Sequence, residues 1–276
     1  MTINCKGKLV DLSSPVVMGI LNVTPDSFYD GGQAVTSTAI KQKVQQMVAD
    51  GATIIDVGGM SSRPGATMIS RQEEIDRVSP AIEIIVQHMP DVVISIDTLH
   101  SEVAAHCIRM GATMVNDISA GDYDADMIPT VAEAGVPYVA MHMQGLPSNM
   151  QDDPQYHDVV MEVLTYFAKK VRQCRAAGIT DVILDPGFGF GKSLEHNYAL
   201  LRHLGSLGIL DCPLLAGLSR KSMIYKPLDI TAADALTGTS ALHMVALQQG
   251  ASILRVHDVL EAAQCIQLHE LLTSIK

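Results

Sequence analysis

The sequence predicts an α/β protein, a (β/α)8 TIM barrel in one domain, and three observations carry that prediction. An amphipathic stretch repeatedly ends at a glycine and is followed at once by a β-branched or aliphatic run: MVADGATIIDVGG, CIRMGATMVNDIS, AEAGVPYVAMHM, RAAGITDVILDPG and LQQGASILRVHD. These runs are too continuously apolar for a sheet with one wet face, so the strands should be parallel and buried on both sides. Each run also ends in polar residues, where the βα loops of a barrel build active sites.

The first strand is VVMGILNV, and the glycines Gly51, Gly111, Gly135, Gly178 and Gly250 suit the left-handed residue that terminates a helix. Pro90 before VVISIDT and Gly208 before CPLLAGLS are looser versions of the same punctuation and complete a set of eight strands. Stretches 40–50, 71–88, 160–176 and 260–274 carry helical periodicity between or after them. A doubly wound open sheet is the alternative architecture. No Pro/Ser-rich linker divides the chain, so one domain spans 1–276. Two segments rich in Gly, Ser and Pro, at about 22–33 and 59–70, read as mobile loops over the site.

Of the 276 residues, 47% are apolar and 18% charged, and the net charge is −11. That balance argues against nucleic acid or an anionic membrane as a partner. The five cysteines are scattered, odd in number and form no C-x-x-C pair, which suggests neither a disulfide frame nor a zinc knuckle. The opening MTINCKGKLVDLSS lacks the apolar core of a signal peptide, so a cytoplasmic protein is expected.

Two motifs mislead. GFGFGKS resembles a Walker A loop, but counting back from Gly191 puts Pro186 where the first glycine belongs. Its glycines read instead as a flexible loop that lets a flat ligand approach beside Asp185. DYDADM with Glu133 has the offsets of an EF-hand, yet Met127 replaces the turn glycine and Pro129 interrupts the loop. It reads as a cap on the helix that follows.

The strand ends supply Asn22, Asp56, Asp97, Asn116 with Asp117, His142, Asp185, Ser219 with Lys221, and Arg255 with His257. Asp56, Asp117 and His142 are each compatible with a cap or a satisfied core group. Asp97, Asn116 and Asp185 offer acceptors and one amide, which suits a flat heterocycle bearing amino and ring N–H donors, guanine-like or pterin. Lys221 would meet its other side, and the planar Arg255 guanidinium can stack on a ring. Arg63, Arg255 and His257 are candidate anion donors, and Asn22 offers a neutral oxygen to Mg²⁺ held mainly by phosphate and water.

GILNVTPDSFYDGG, DVGGMSSRPGA, ISIDT, VNDISA, MHMQG, ILDPGFGFGKS, GLSRKS and LRVHD, in that order, resemble the dihydropteroate synthases, the sulfonamide targets of folate biosynthesis. The resemblance implies a homodimeric barrel that condenses 6-hydroxymethyl-7,8-dihydropterin diphosphate with 4-aminobenzoate, with Mg²⁺ and dissociative loss of diphosphate. It implies that Asp97, Asn116, Asp185 and Lys221 hold the pterin, with Met141, Phe190 and Arg255 packed around it. Asn22 would bind the metal, and Ser62, Arg63, Arg255 and His257 the diphosphate. Phe28, Arg63, Pro64, Lys221 and Ser222 would shape the aminobenzoate pocket. Asp97, Lys221, Arg255 and His257 form the implied catalytic set. Met60 departs from the usual glutamate of the second loop, Ser62 from its threonine, and Tyr29 adds bulk beside Phe28. The nearest rival is a pterin-dependent methyltransferase barrel, which needs no diphosphate site.

Overall fold

The computed structural model describes residues 1–24, 33–60, 68–145, 150 and 154–275, with residues 33–36 as backbone. The greater part of both predicted loops falls outside that set, as do Phe28, Ser62, Arg63 and Pro64.

After a short hairpin, β1 (Thr2–Cys5) and β2 (Lys8–Asp11), the chain alternates strands and helices. These are β3 (Val16–Asn22), α1 (Gln33–Ala49), β4 (Ala52–Gly58), α2 (Arg71–His88), β5 (Val93–Asp97), α3 (Ser101–Met110) and β6 (Met114–Asp117). There follow α4 (Met127–Ala134), β7 (Tyr138–Met141), α5 (Val159–Ala177), β8 (Val182–Asp185), α6 (Leu194–Arg202) and a 3-10 turn at Leu204–Leu210. The last are β9 (Leu215–Ala216), α7 (Ser222–Tyr225), α8 (Leu236–Gln248), β10 (Ile253–Val256) and α9 (Val259–Ser274).

All eight predicted strands form and pair in parallel, in the order β8-β7-β6-β5-β4-β3-β10-β9. A parallel bridge between Leu184 and Leu214 closes the ring, which settles the choice against an open sheet. The punctuating glycines do what their sequence context predicts: Gly51, Gly111, Gly135, Gly178 and Gly250 all have positive φ, from 62° to 124°. At the looser site the left-handed residue is Asp211 (φ 50°), not Gly208. Helix starts are also legible: Ser70 accepts from Glu73 N at α2, and Asp158 from Val160 N and Met161 N at α5.

The sequence pattern does not predict the hairpin. Lys6 (φ 52°) and Gly7 (φ 89°) take the turn, and two consecutive positive φ values match the twist of a tight hairpin. Its inward residues Ile3, Cys5 and Val10, with Leu12, pack on Met18, Ile54, Val93, Met114, Val139, Ile183, Leu215 and Ile253. Those eight come one from each barrel strand, so the hairpin plugs the N-terminal end of the barrel over an apolar floor. The outer faces of the strands pack against the helices in a second, larger cluster.

Candidate active site

Side chains on a strand return to the same face every second residue. Two residues beyond the floor, the eight inward positions are Ile20, Asp56, Ser95, Asn116, Met141, Asp185, Gly217 and Arg255. One pleat therefore turns a wholly apolar layer into a mostly polar one. A further step reaches Asn22, Gly58 and Asp97 on β3, β4 and β5, with Ser219 and His257 beyond β9 and β10. Register fixes their order, since Asn22 pairs with Gly58, Gly58 with Asp97, Asp97 with Asn116, and Met141 with Asp185.

Asp56, Asn116, Arg255 and Asp97 form one network. Asp56 Oδ2 accepts from Asn116 Nδ2 at 3.0 Å and from Arg255 Nε at 2.7 Å, while Arg255 Nη2 donates to Asp97 Oδ2 at 2.6 Å. Asp185 Oδ1 accepts from Gly187 N at 2.8 Å. Lys221 Nζ donates to Phe188 O at 2.5 Å and lies 4.7 Å from the centre of the Phe190 ring, a cation–π distance. Asp185 Oδ2 and Lys221 Nζ both flank Gly217: a Cβ there would sit 3.5 and 3.8 Å from them. At Gly58 a Cβ would lie 3.6 Å from Asn22 Oδ1 and 3.8 Å from Asp97 Oδ2. The two glycines leave room between functional groups.

Two carboxylates share one guanidinium here, and burial decides the rest. Burial raises Asp97 to about 7, with Asp56, Glu74 and Asp117 adding to the rise and Arg255 opposing it. Burial also raises Asp185, against the attraction of Lys221. Lys221 is lowered to about 8 by burial, which Asp185 partly offsets. Burial works against the Arg255 charge, but Asp56 and Asp97 more than offset it, and its pKa rises.

Asn22, Asp97, Asn116, Met141, Asp185, Phe190, Lys221 and Arg255 thus converge on one mouth. His257 stands exposed on its rim, with Nδ1 3.2 Å from Ser219 Oγ. Ser222 opens α7 immediately after Lys221. Arg220 grips Asp258 with two nitrogens, at 2.7 and 2.9 Å, and so ties the Lys221 loop to the turn bearing His257. Met60 joins Met141, Phe190, Leu99, Ile118 and Met150 in an apolar wall, so the family's usual charge gives way here to packing.

Two sequence readings need correction. Two of the three glycines of GFGFGKS serve close backbone approach rather than looseness. A Cβ at Gly187 would collide with the His142 carbonyl oxygen and one at Gly191 with that of Gln144, so these glycines let the loop lie directly on the backbone after β7. Lys192 then spends its ammonium inside the protein, on Phe190 O (2.9 Å), His142 Nδ1 (3.0 Å) and His142 O (3.1 Å). No phosphate-reaching lysine is left, which disposes of the nucleotide loop. The acidic DYDADM segment does lead into α4, with Asp126 at its N-cap position and Asp124 Oδ1 accepting from Asp126 N at 3.1 Å, but no side chain caps the helix: Asp124 Oδ2 accepts from Ser101 N at the start of α3, and Asp122 takes Lys170 and Tyr166. Among the described residues no group of three or more His, Cys, Asp or Glu could hold a metal ion. Asp117 and His142 are satisfied core groups, as one sequence reading allowed, whereas Asp56 is the centre of the network. Register alone, not residue type, reveals that.

A closed parallel barrel with acceptors and cations gathered at its C-terminal mouth defines the class. Residues 18–257 match the family described as pterin binding enzyme. Dihydropteroate synthase of Escherichia coli K12 is 45% identical over 278 aligned residues, covering 100% of this chain and 98% of that protein. The Yersinia pestis dihydropteroate synthase, solved with a sulfonamide drug, superposes with a TM-score of 0.93 at 44% identity, over 99% and 100% of the two chains. The Xanthomonas albilineans dihydropteroate synthase, solved with 4-aminobenzoic acid, gives 0.93 at 39% identity, over 100% and 99%. The same enzyme with 7,8-dihydropteroate gives 0.89 at 36%, over 100% of both chains. The chain belongs to the dihydropteroate synthase family, transferases of folate biosynthesis. No helix among the described residues is long and apolar enough to cross a membrane.

Proposed function

We propose that this enzyme joins 6-hydroxymethyl-7,8-dihydropterin diphosphate to 4-aminobenzoate, forming 7,8-dihydropteroate and releasing diphosphate. The observation that carries this reading is the polar layer, in which Asp185, Asn116 and Asp97 present acceptors beside Lys221 and Arg255. A pterin offers amino and ring N–H donors along one edge and a carbonyl that a lysine can meet. The complexes of the Xanthomonas albilineans enzyme with 4-aminobenzoic acid and 7,8-dihydropteroate support the same substrate class.

In the reaction the methylene C–O bond breaks, its electron pair leaves with diphosphate, and the aminobenzoate nitrogen closes the new C–N bond and sheds a proton. Asp97, as the anion, faces the positive charge left on the pterin methylene. Arg255 and His257 meet the departing oxyanion, and by family resemblance Ser62 and Arg63 join them. Phe28, Pro64 and Ser222 would flank the aminobenzoate, whose site sulfonamides would contest. The donor chemistry fits Mg²⁺: Asn22 supplies a neutral oxygen beside Asp97, and this ion keeps few protein ligands when phosphate supplies the others. When bound, the ion would neutralise charge on the diphosphate. Full diphosphate release should need both substrates and Mg²⁺; release with aminobenzoate absent at the same rate would overturn the reading. The exposed Leu268, Leu271 and Leu272 of α9 give an apolar surface for the homodimer we also propose, and a single-chain mass in solution would exclude it.

A further inference from the structure

Asp56 is carried on β4 two residues above the floor residue Ile54 and is fully buried. Its Oδ2 takes two donors, Asn116 Nδ2 and Arg255 Nε, and its Oδ1 takes none. Ser95, its register neighbour on β5, also buries an unpartnered Oγ. Unpaired buried oxygens cost stability, and this layer keeps two of them beside the site.

The geometry has a consequence for polarity. An amide can face a carboxylate only with its NH2, since the reverse orientation sets oxygen against oxygen. Asp56 therefore holds Nδ2 of Asn116 inward and leaves Oδ1 to accept from a ligand. The same carboxylate accepts from Nε of the Arg255 guanidinium while Asp97 accepts from its Nη2, at 2.7 and 2.6 Å, and these two anchors fix its plane.

We propose that Asp56 is a positioning residue of the pterin site: it sets the Asn116 amide as an acceptor and clamps Arg255, so that the layer admits only a ligand edge made of donors. This rests on the pterin reading given above.

The test is equilibrium binding of 6-hydroxymethylpterin, by calorimetry, to the full-length wild type, Asp56→Ala, Asn116→Asp and the double variant. Asp56→Ala removes the acceptor that Asn116 Nδ2 and Arg255 Nε share, frees the amide to turn and should weaken binding about tenfold or more. Asn116→Asp faces one carboxylate with another, about 3 Å away, and should weaken it as much. In the double variant no second carboxylate faces the one at 116, which presents only acceptors, so binding should recover at least about fivefold over Asn116→Asp alone. A residue that matters only for packing would give no such recovery. Wild-type affinity in Asp56→Ala, or additive losses in the double variant, would overturn the proposal. Failure of the folded wild type to bind the pterin would take the substrate reading down with it. Should Asp56→Ala not fold, the wild type still decides. Slow solvent exchange of the Asn116 side-chain NH2 and Arg255 Nε–H in ¹⁵N-labelled protein supports the clamp, and fast exchange of either overturns it.

Discussion

The floor of the barrel and the layer above it are built by the same eight strands, one pleat apart, and their physics is opposite. Met18, Ile54, Val93, Met114, Val139, Ile183, Leu215 and Ile253 bury carbon against the hairpin plug. Two residues on, the buried Asp56, Asn116 and Asp185 and the partly buried Arg255 place charge and amide groups that each other, the Gly187 backbone or a ligand must satisfy. Stability is concentrated in the lower layer. The upper one keeps polar groups poised at a cost in desolvation.

The largest test of that contrast sets neighbours on one strand against each other. Ile183→Ala removes floor packing and should cost about 2–5 kcal/mol of stability. Wherever that variant is folded, kcat/KM for dihydropteroate formation should stay near wild type. Asp185→Ala, two residues away, removes the carboxylate whose charge attracts the half-buried Lys221. A loss of about 2–5 kcal/mol in transition-state binding follows, roughly thirtyfold to a few thousandfold in kcat/KM. Its thermal midpoint should move less than that of Ile183→Ala. Matched losses of stability and activity in both variants would mean that the two layers are not functionally distinct.

How far the sequence disclosed this contrast depends on the range of the forces involved. Eight strands and the closed parallel arrangement are legible because apolar runs bounded by helix-ending glycines are local signals. The hairpin is not: two four-residue strands are too short for alternation to stand out, and their purpose lies in residues as distant as Ile253. Asp97, Asn116, Asp185 and Lys221 are readable as strand-end polar groups and by family resemblance. Asp56 looks like any strand-end acid until register aligns it with Asn116 and Arg255. Gly187 and Gly191 mislead for a related reason, since a glycine that permits close approach and one that permits bending are identical in sequence.

A smaller effect sharpens the comparison within the upper layer itself, because its groups titrate where the floor has nothing to titrate. Asp97, held up at about 7, must lose its proton to face a developing cation. Lys221, brought down to about 8, must keep its proton to donate to the pterin. Activity should therefore rise with pH through about 7 and fall through about 8, a narrow bell in kcat/KM. Asp97→Asn removes the acid limb and lowers the plateau, and Lys221→Arg, which stays charged, removes the alkaline one. Lys192 also sits at about 7, lowered by burial and by Lys221 and raised by Asp185, so an alkaline decline near that value surviving in Lys221→Arg belongs to the loop fastening. A wild-type kcat/KM profile flat from about pH 6 to about pH 9 would show that neither Asp97 nor Lys221 titrates in the free enzyme as required, and the electrostatic account of the upper layer would fail.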